Sequence, residues 1–468
     1  MFKLYLFLAH LTLFSTISCN NVDSTDIEIA EDLNISEDSM EAINKDNWVI
    51  TPDGSENYLN FSSEYIFDQE NLHTFDLILS EENLNLINRD PAAEEYVEGM
   101  LIFEKDTISP VGIRYKGSVG AFVGCLDGPN MFEPSGAKIC TKLSMKIKIN
   151  WKGRKEKFFG LKKLQFHSMN NDASQMHERA GYWLFRQMGI PAPRAVHAKL
   201  TINGIYTGLY SLVEQIDSRF IKENFDDNEG NLYKEIWPLT YAGVPYPVDD
   251  YIKALKTNEN NPSVELIRSF GQKIADANEE DLQQIIAEHM NIDEIISYAV
   301  VDRIIRNDDG AFHWYCEGNS CENHNYYWYE EPSTAQLHLI PWDLDNAFEN
   351  ILYNANPVTP IADQWGSSRN NCQPFAYGAW GIPQKSAACD KLTRGWTKFS
   401  STYESLKTEF LNGPLSINQI DQQIDLWVKQ ISIAHAEASN LHDDVQNEES
   451  WINEINLFKA QLSKARQN

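Results

Sequence analysis

Positive charge is scarce in this sequence. It has 39 Lys and Arg against 68 Asp and Glu, a net charge of −29. Such a surface repels phosphate backbones and anionic lipid, which excludes a nucleic-acid partner and an electrostatic membrane surface. No Gly-x-x-x-x-Gly-Lys-Ser/Thr loop and no Gly-x-Ser-x-Gly elbow occurs, so two common phosphate and acyl-transfer architectures are excluded. His-Arg-Asp and Asp-Phe-Gly are absent as well. Histidines 167, 177, 197, 313, 324 and 338 lack metal-ligand spacing with each other or with cysteine, which argues against zinc. Internal repeats are missing. The apolar run Leu4–Phe14 is too short to span a bilayer.

What is present is a globular composition, 42% hydrophobic and 12% aromatic, in a chain long enough for one large bilobal domain. Lys3 and the run to Phe14 read as a secretion signal over 1–18. Small residues leading into Cys19 resemble a bacterial lipoprotein cleavage site. The expectation is therefore an exported protein, held at the membrane or cell surface only through a lipid on Cys19. Residues 19–60, dense in acid from Asp23 to Glu41, read as a tether. Cys125, Cys140, Cys316, Cys321, Cys372 and Cys389 remain, and they suit disulfides in an oxidising compartment. Neighbours in sequence pair naturally, although spacing leaves the connectivity open.

The ordered chain is expected over 61–468, with a sheet-rich half over 61–216 and a helical half over 217–468. Strands are predicted at 75–79, 96–103, 111–115, 142–150 and 162–166. In 142–150, Leu143, Met145, Ile147 and Ile149 share one face, and Lys142, Ser144, Lys146 and Lys148 the other. A helix is predicted over 172–188, capped by Asp172 or Ser174 and stopped by Gly189 and Pro191. Glu178 lies off its Met176–Ala180–Leu184–Met188 stripe, among Tyr182 and Phe185. It is thus a partly buried carboxylate in need of a cation. Asn203-Gly204 joins two strands as a hairpin. Helices follow at 264–277, 280–289, 292–306, 416–437 and 448–464, with a disulfide-pinned loop over 352–394. The fold class is α+β: an antiparallel-sheet lobe with one long helix, then a mainly helical lobe.

The chemistry concentrates in 304–348. Asp309 sits in an Asn-Asp-Asp-Gly turn after a helix, Asn325 opens an aromatic strand, and Asp343 and Asp345 follow an apolar strand. Oxygen donors at the ends of apolar elements suit a hard cation such as Mg²⁺. Asp302 is expected to pair with Arg306 one helical turn on. Two carboxylates such as Asp309 and Asp343 also suit glycoside hydrolysis.

A series of segments in order resembles the CotH kinase family, the spore coat protein H-type atypical kinases. They are RYKGSVG at 114–120, KLSMKIKINW at 142–151, the run 158–194, INGIYTGLYSLVEQID at 202–217, GNLYK at 230–234, NDDG at 307–310, HNYYWY at 324–329 and PWDLDNAF at 341–348. The resemblance covers about residues 70–350. It implies a bilobal kinase-like fold, ATP with Mg²⁺ or Mn²⁺, and phosphorylation of Ser or Thr in a protein substrate. Carried over by motif, Asp309 is the catalytic carboxylate, and Asn325 and Asp343 are metal ligands. Lys146 holds phosphate, Glu178 fixes Lys146, Glu214 and Gln215 lie near the adenine, and Arg114 opens the glycine turn on the ATP side. The family has only a few residues between the Asp-Gly turn and His-Asn-Tyr. This chain inserts 311–323, with Cys316 and Cys321 inside. The rival expectation is a surface protein that keeps the fold and binds carbohydrate or protein without turnover.

Overall fold

The computed structural model describes residues 45–467 apart from 53, 119, 130–132, 319, 354–371 and 378–380. The secretion signal, Cys19 and most of the tether lie outside the described residues. Two short strands, β1 (Trp48–Ile50) and β2 (Glu56–Tyr58), fall inside the stretch read as tether, and Tyr58 is fully buried. Folded structure therefore begins ahead of residue 61.

Next come β3 (His73–Leu79), α1 (Glu81–Arg89), β4 (Val97–Phe103), β5 (Asp106–Tyr115), β6 (Met145–Lys148), β7 (Lys157–Phe158), β8 (Lys163–His167), α2 (His177–Gln187), β9 (Ala195–Ile202) and β10 (Ile205–Val213). Seven of these strands close a barrel in the order β10-β8-β6-β5-β4-β3-β9. All its pairings are antiparallel except β3 with β9, so the expected sheet curls shut through one parallel seam. Period-two alternation explains the closure. Leu143, Met145, Ile147 and Ile149 all point into the barrel core, together with Phe75, Phe103 and Phe166. The β9–β10 turn is the one expected. Asn203 and Gly204 take φ of 50° and 80°, and the Asn203 amide bonds both backbone groups of Leu79, at 2.8 and 3.0 Å.

Helix α2 starts five residues later than its pattern suggests. Asp172 holds the preceding turn, accepting from the amides of Ser174, Gln175 and His177 at 3.0, 3.0 and 2.7 Å. Its stripe Met176, Ala180, Leu184 and Met188 belongs to the second hydrophobic core, while Arg179 ties the helix to His197 of β9.

The chain after the barrel runs α3 (Ser218–Asn224), β11 (Leu232–Lys234), α4 (Val248–Ala254), α5 (Glu265–Asp276), α6 (Leu282–His289), α7 (Ile292–Ile305), β12 (Trp314–Glu317), β13 (Ser320–Glu322), β14 (Tyr326–Glu331), β15 (Gln336–Pro341), α8 (Asn350–Tyr353), β16 (Phe375–Tyr377), β17 (Ile382–Lys385), α9 (Lys391–Trp396), α10 (Ser400–Asn412), α11 (Gln422–Leu441) and α12 (Glu448–Ala465), and all of these but β16 and β17 supply side chains to the second core. Its centre is α7, apolar all round and buried from Ile295 to Ile305 except at Arg303. Strands also occur here, in sheets β11-β14-β15 and β13-β12-β17-β16. The second of these draws two strands from the range read as loop. Disulfides join Cys125–Cys140, Cys316–Cys321 and Cys372–Cys389. The fold is α+β.

Candidate active site

Strands β14 and β15 pair with Tyr326 opposite Pro341, so Asn325 and Trp342 leave the hairpin at the same end. The Trp342 amide donates to the Asn325 carbonyl at 3.1 Å. Asn325 and Asp343 both take left-handed backbone, φ 60° and 55°, which short polar side chains tolerate. This twist turns them out of strand alternation. The Asp343 amide donates to the Tyr182 hydroxyl at 3.0 Å, tying the segment to α2.

The turn after α7 brings in the third group. The side chain of Asn307 donates to Asp302 Oδ2 at 3.0 Å, and the Asn307 amide to the Asp302 carbonyl at 3.1 Å. Asp302 therefore takes its bond from Asn307, while Arg306, placed for an i+4 pair by sequence, sits at the left-handed C-cap. A Cβ on Gly310 would lie 2.2 Å from Asn307 Nδ2, so only glycine fits. Asp309 then projects toward the β14–β15 end. Asn325 Nδ2 donates to Asp309 Oδ2 at 2.8 Å, and the Tyr315 hydroxyl to Oδ1 at 2.6 Å. Loss of water raises the Asp309 carboxyl above its ordinary range, and the nearby Asp343 charge adds to this. Hydrogen bonds from Tyr315 and Asn325 pull it the other way. The insertion 311–323 folds as the β12–β13 hairpin closed by Cys316–Cys321, and Asp309 and Asn325 stay in contact across its base.

The facing wall is the outer surface of the barrel. Arg114, Lys146 and Gln165 stand side by side on β5, β6 and β8. Lys146 is 6% exposed, because the face read as polar is covered rather than solvated. In the fold, Oε1 of Glu178 lies 2.7 Å from Nδ1 of His167, and Nε2 of His167 lies 2.7 Å from the Lys116 ammonium. An ammonium only donates, so Nε2 accepts and Nδ1–H donates to Glu178. Burial lowers the Lys116 pKa to about 8, and the Lys146 charge works in the same direction, while Asp343 and Glu178 oppose it. Lys116 also sits 5.5 Å from the Trp342 ring centre.

One donor atom from each of His167, Glu178 and Asp343 falls within 4.8 Å of the others. The carboxyl of Asp345 is raised well above its usual range by burial first, then by the charges of Asp343, Glu178 and Asp309. Carboxylates crowded this closely, with an amide beside them, have the donor chemistry of a site for a divalent cation.

The remaining predicted residues make contacts of their own. The Arg114 guanidinium pairs with Glu94, whose other oxygen accepts from the Gly117 amide at 2.7 Å, so this pair braces the glycine turn. Arg194 binds both carboxylate oxygens of Glu214, with Nε at 3.0 Å and its own amide at 3.1 Å. Gln215 is half-buried next to this pair, and its Oε1 has no hydrogen-bond partner among the described residues. His167, Lys116, Tyr182 and Tyr315 escaped sequence reasoning. Two of them carried a usable signal: Lys116 stands in the glycine turn, and His167 continues the outward face of β8.

The family model described as CotH kinase protein matches residues 113–466, and the chain belongs to that family. No curated protein matches it.

Proposed function

We propose that this chain is an exported atypical protein kinase that moves the γ-phosphate of ATP to a Ser or Thr hydroxyl of a secreted or surface protein. The observation that carries the reading is the meeting of Asp309, Asn325 and Asp343 opposite the Glu178–His167–Lys116 chain. On this reading the barrel core and the helical core are the two lobes, and Cys19 bears the lipid anchor.

In the reaction, Asp309 accepts the proton of the acceptor hydroxyl. That oxygen bonds to the γ-phosphorus, the bond to the β,γ-bridging oxygen breaks, and ADP leaves. Lys116 and Lys146 face the phosphate oxygens. Glu178 orients Lys116 through His167, and Gln215 offers its unpartnered oxygen to the base beside the Arg194–Glu214 brace. Asp343 and Asn325 would hold Mg²⁺ or Mn²⁺, with Glu178 close by; the ion would neutralise charge on the phosphates.

The test is incubation of the purified protein with labelled ATP and Mn²⁺ and a protein acceptor. Asp309→Asn is expected to fold and bind ATP but to lose transfer by at least about a hundredfold. Asp343→Ala is expected to abolish metal-dependent ATP binding in calorimetry. Unchanged turnover in Asp309→Asn removes that residue from the role.

A further inference from the structure

The insertion 311–323 places a side chain on the reacting carboxylate. Trp314 at the start of β12 is fully buried, with its ring 5.8 Å from Trp237 and 5.4 Å from Tyr241. Side chains alternate along a strand, so anchoring Trp314 inward sends Tyr315 to the opposite face. That face looks onto Asp309, and the Tyr315 hydroxyl meets Oδ1 at 2.6 Å. Three constraints hold Tyr315 there. It is paired with Glu322 across the hairpin and with Gln384 of β17 on the other side. The next residue, Cys316, lies directly opposite Cys321 and is bonded to it. The Tyr315 ring lies tilted against that of His324, 5.7 Å between centres. Asn325 takes Oδ2 of the same carboxylate at 2.8 Å, so Asp309 is gripped at both oxygens, once from the hairpin and once from the strand after it.

We infer that Tyr315 is a positioning residue for phosphoryl transfer, and that the disulfide-closed hairpin exists in this chain to deliver its hydroxyl to Asp309. The inference rests on the kinase reading above. A carboxylate with one fixed donor on each oxygen cannot rotate, and its remaining lone pairs are aimed before the acceptor arrives. Such pre-aiming acts on the chemical step and leaves nucleotide binding alone.

The experiment compares the full chain with Tyr315→Phe, which removes one oxygen and keeps the ring, and with the Cys316→Ser/Cys321→Ser double variant. Thermal shift by ATP with Mn²⁺ is measured first, then transfer to a protein acceptor. Tyr315→Phe is expected to keep the ATP shift and the KM for ATP while kcat falls about tenfold. The double variant is expected to reproduce this split. Equal kcat in wild type and Tyr315→Phe overturns the inference while leaving the kinase reading standing. Faster transfer by Tyr315→Phe, or phosphate recovered on Tyr315 itself, also overturns it, since the hydroxyl would then be a block or an acceptor. A wild-type chain with no phosphoryl transfer removes both.

Discussion

His167 joins two charged groups that would otherwise be stranded. Glu178 is 4% exposed, and without the imidazole its Oε1 loses a buried donor while Lys116 loses its acceptor. Leaving such a group unsatisfied costs about 1–3 kcal/mol. His167→Ala is therefore expected to lower the unfolding free energy by about that amount and to raise the KM for ATP about tenfold. His167→Gln, which keeps one donor and one acceptor, recovers part of both. Chemical denaturation together with initial rates at varied ATP reads the two effects. A KM unchanged in His167→Ala would separate Lys116 from the nucleotide. Sequence reasoning singled out Asp309, Asn325 and Asp343 because each flanks an apolar element, a position legible from pattern alone. It missed His167 because a histidine and a glutamate eleven residues apart show no period in common. The segment 168–176 folds back to bring the last residue of β8 against the first turn of α2.

At the scale of elements, α2 must lie close against the 342–348 segment for Tyr182 to reach the Asp343 amide. Gly181 permits this. A Cβ there would stand 2.9 Å from Leu344 Cδ1 and 3.3 Å from Leu344 Cβ, and Leu344 is fully buried. In an exposed helix, Gly→Ala gains about 1 kcal/mol. Here Gly181→Ala is expected to destabilise instead, by roughly 1–3 kcal/mol of overpacking, and to weaken metal-dependent nucleotide binding. Adding Leu344→Ala to that variant relieves the clash, and a rise in melting temperature of the double variant over Gly181→Ala alone checks it. Nothing in the sequence announces this contact. A glycine inside an amphipathic pattern reads only as a weak spot. The elements themselves were far more legible. The starts of α5, α6 and α7 fall within two residues of the pattern, since alternation and helical spacing are local. The closure of the barrel through β3 and β9 was not, because a parallel pairing between residues more than a hundred positions apart leaves no local trace.

For the molecule as a whole, acid sets a boundary that His197 helps to draw. It stands on β9 and meets Arg179 of α2. Its Nδ1 accepts from Arg179 at 2.7 Å, and its Nε2–H donates to the Gln175 carbonyl at 2.6 Å. Burial first, then the Arg179 charge, pushes its pKa down to about 3. A depressed histidine binds its proton later in the folded chain than in the unfolded one. Its contribution is whole above pH 6.5 and drains away as pH falls toward 3, at up to about 1.4 kcal/mol per pH unit. Asp302, raised to about 8 by burial, works in the opposite sense across pH 8 to 4. The wild-type profile sums such terms, so a difference isolates one of them. The stability gap between wild type and His197→Asn is expected to narrow steadily from pH 6.5 to pH 4, read from urea midpoints at each pH. A gap independent of pH would mean the folded chain protonates His197 freely.

The closed barrel has one more effect. A strand at the rim of an open sheet offers unpaired amides and carbonyls to any passing chain, and that is how many proteins begin to clump. Each of the seven barrel strands pairs with a neighbour on either side over at least part of its length. The paired stretches are closed to other copies packed alongside at high local density.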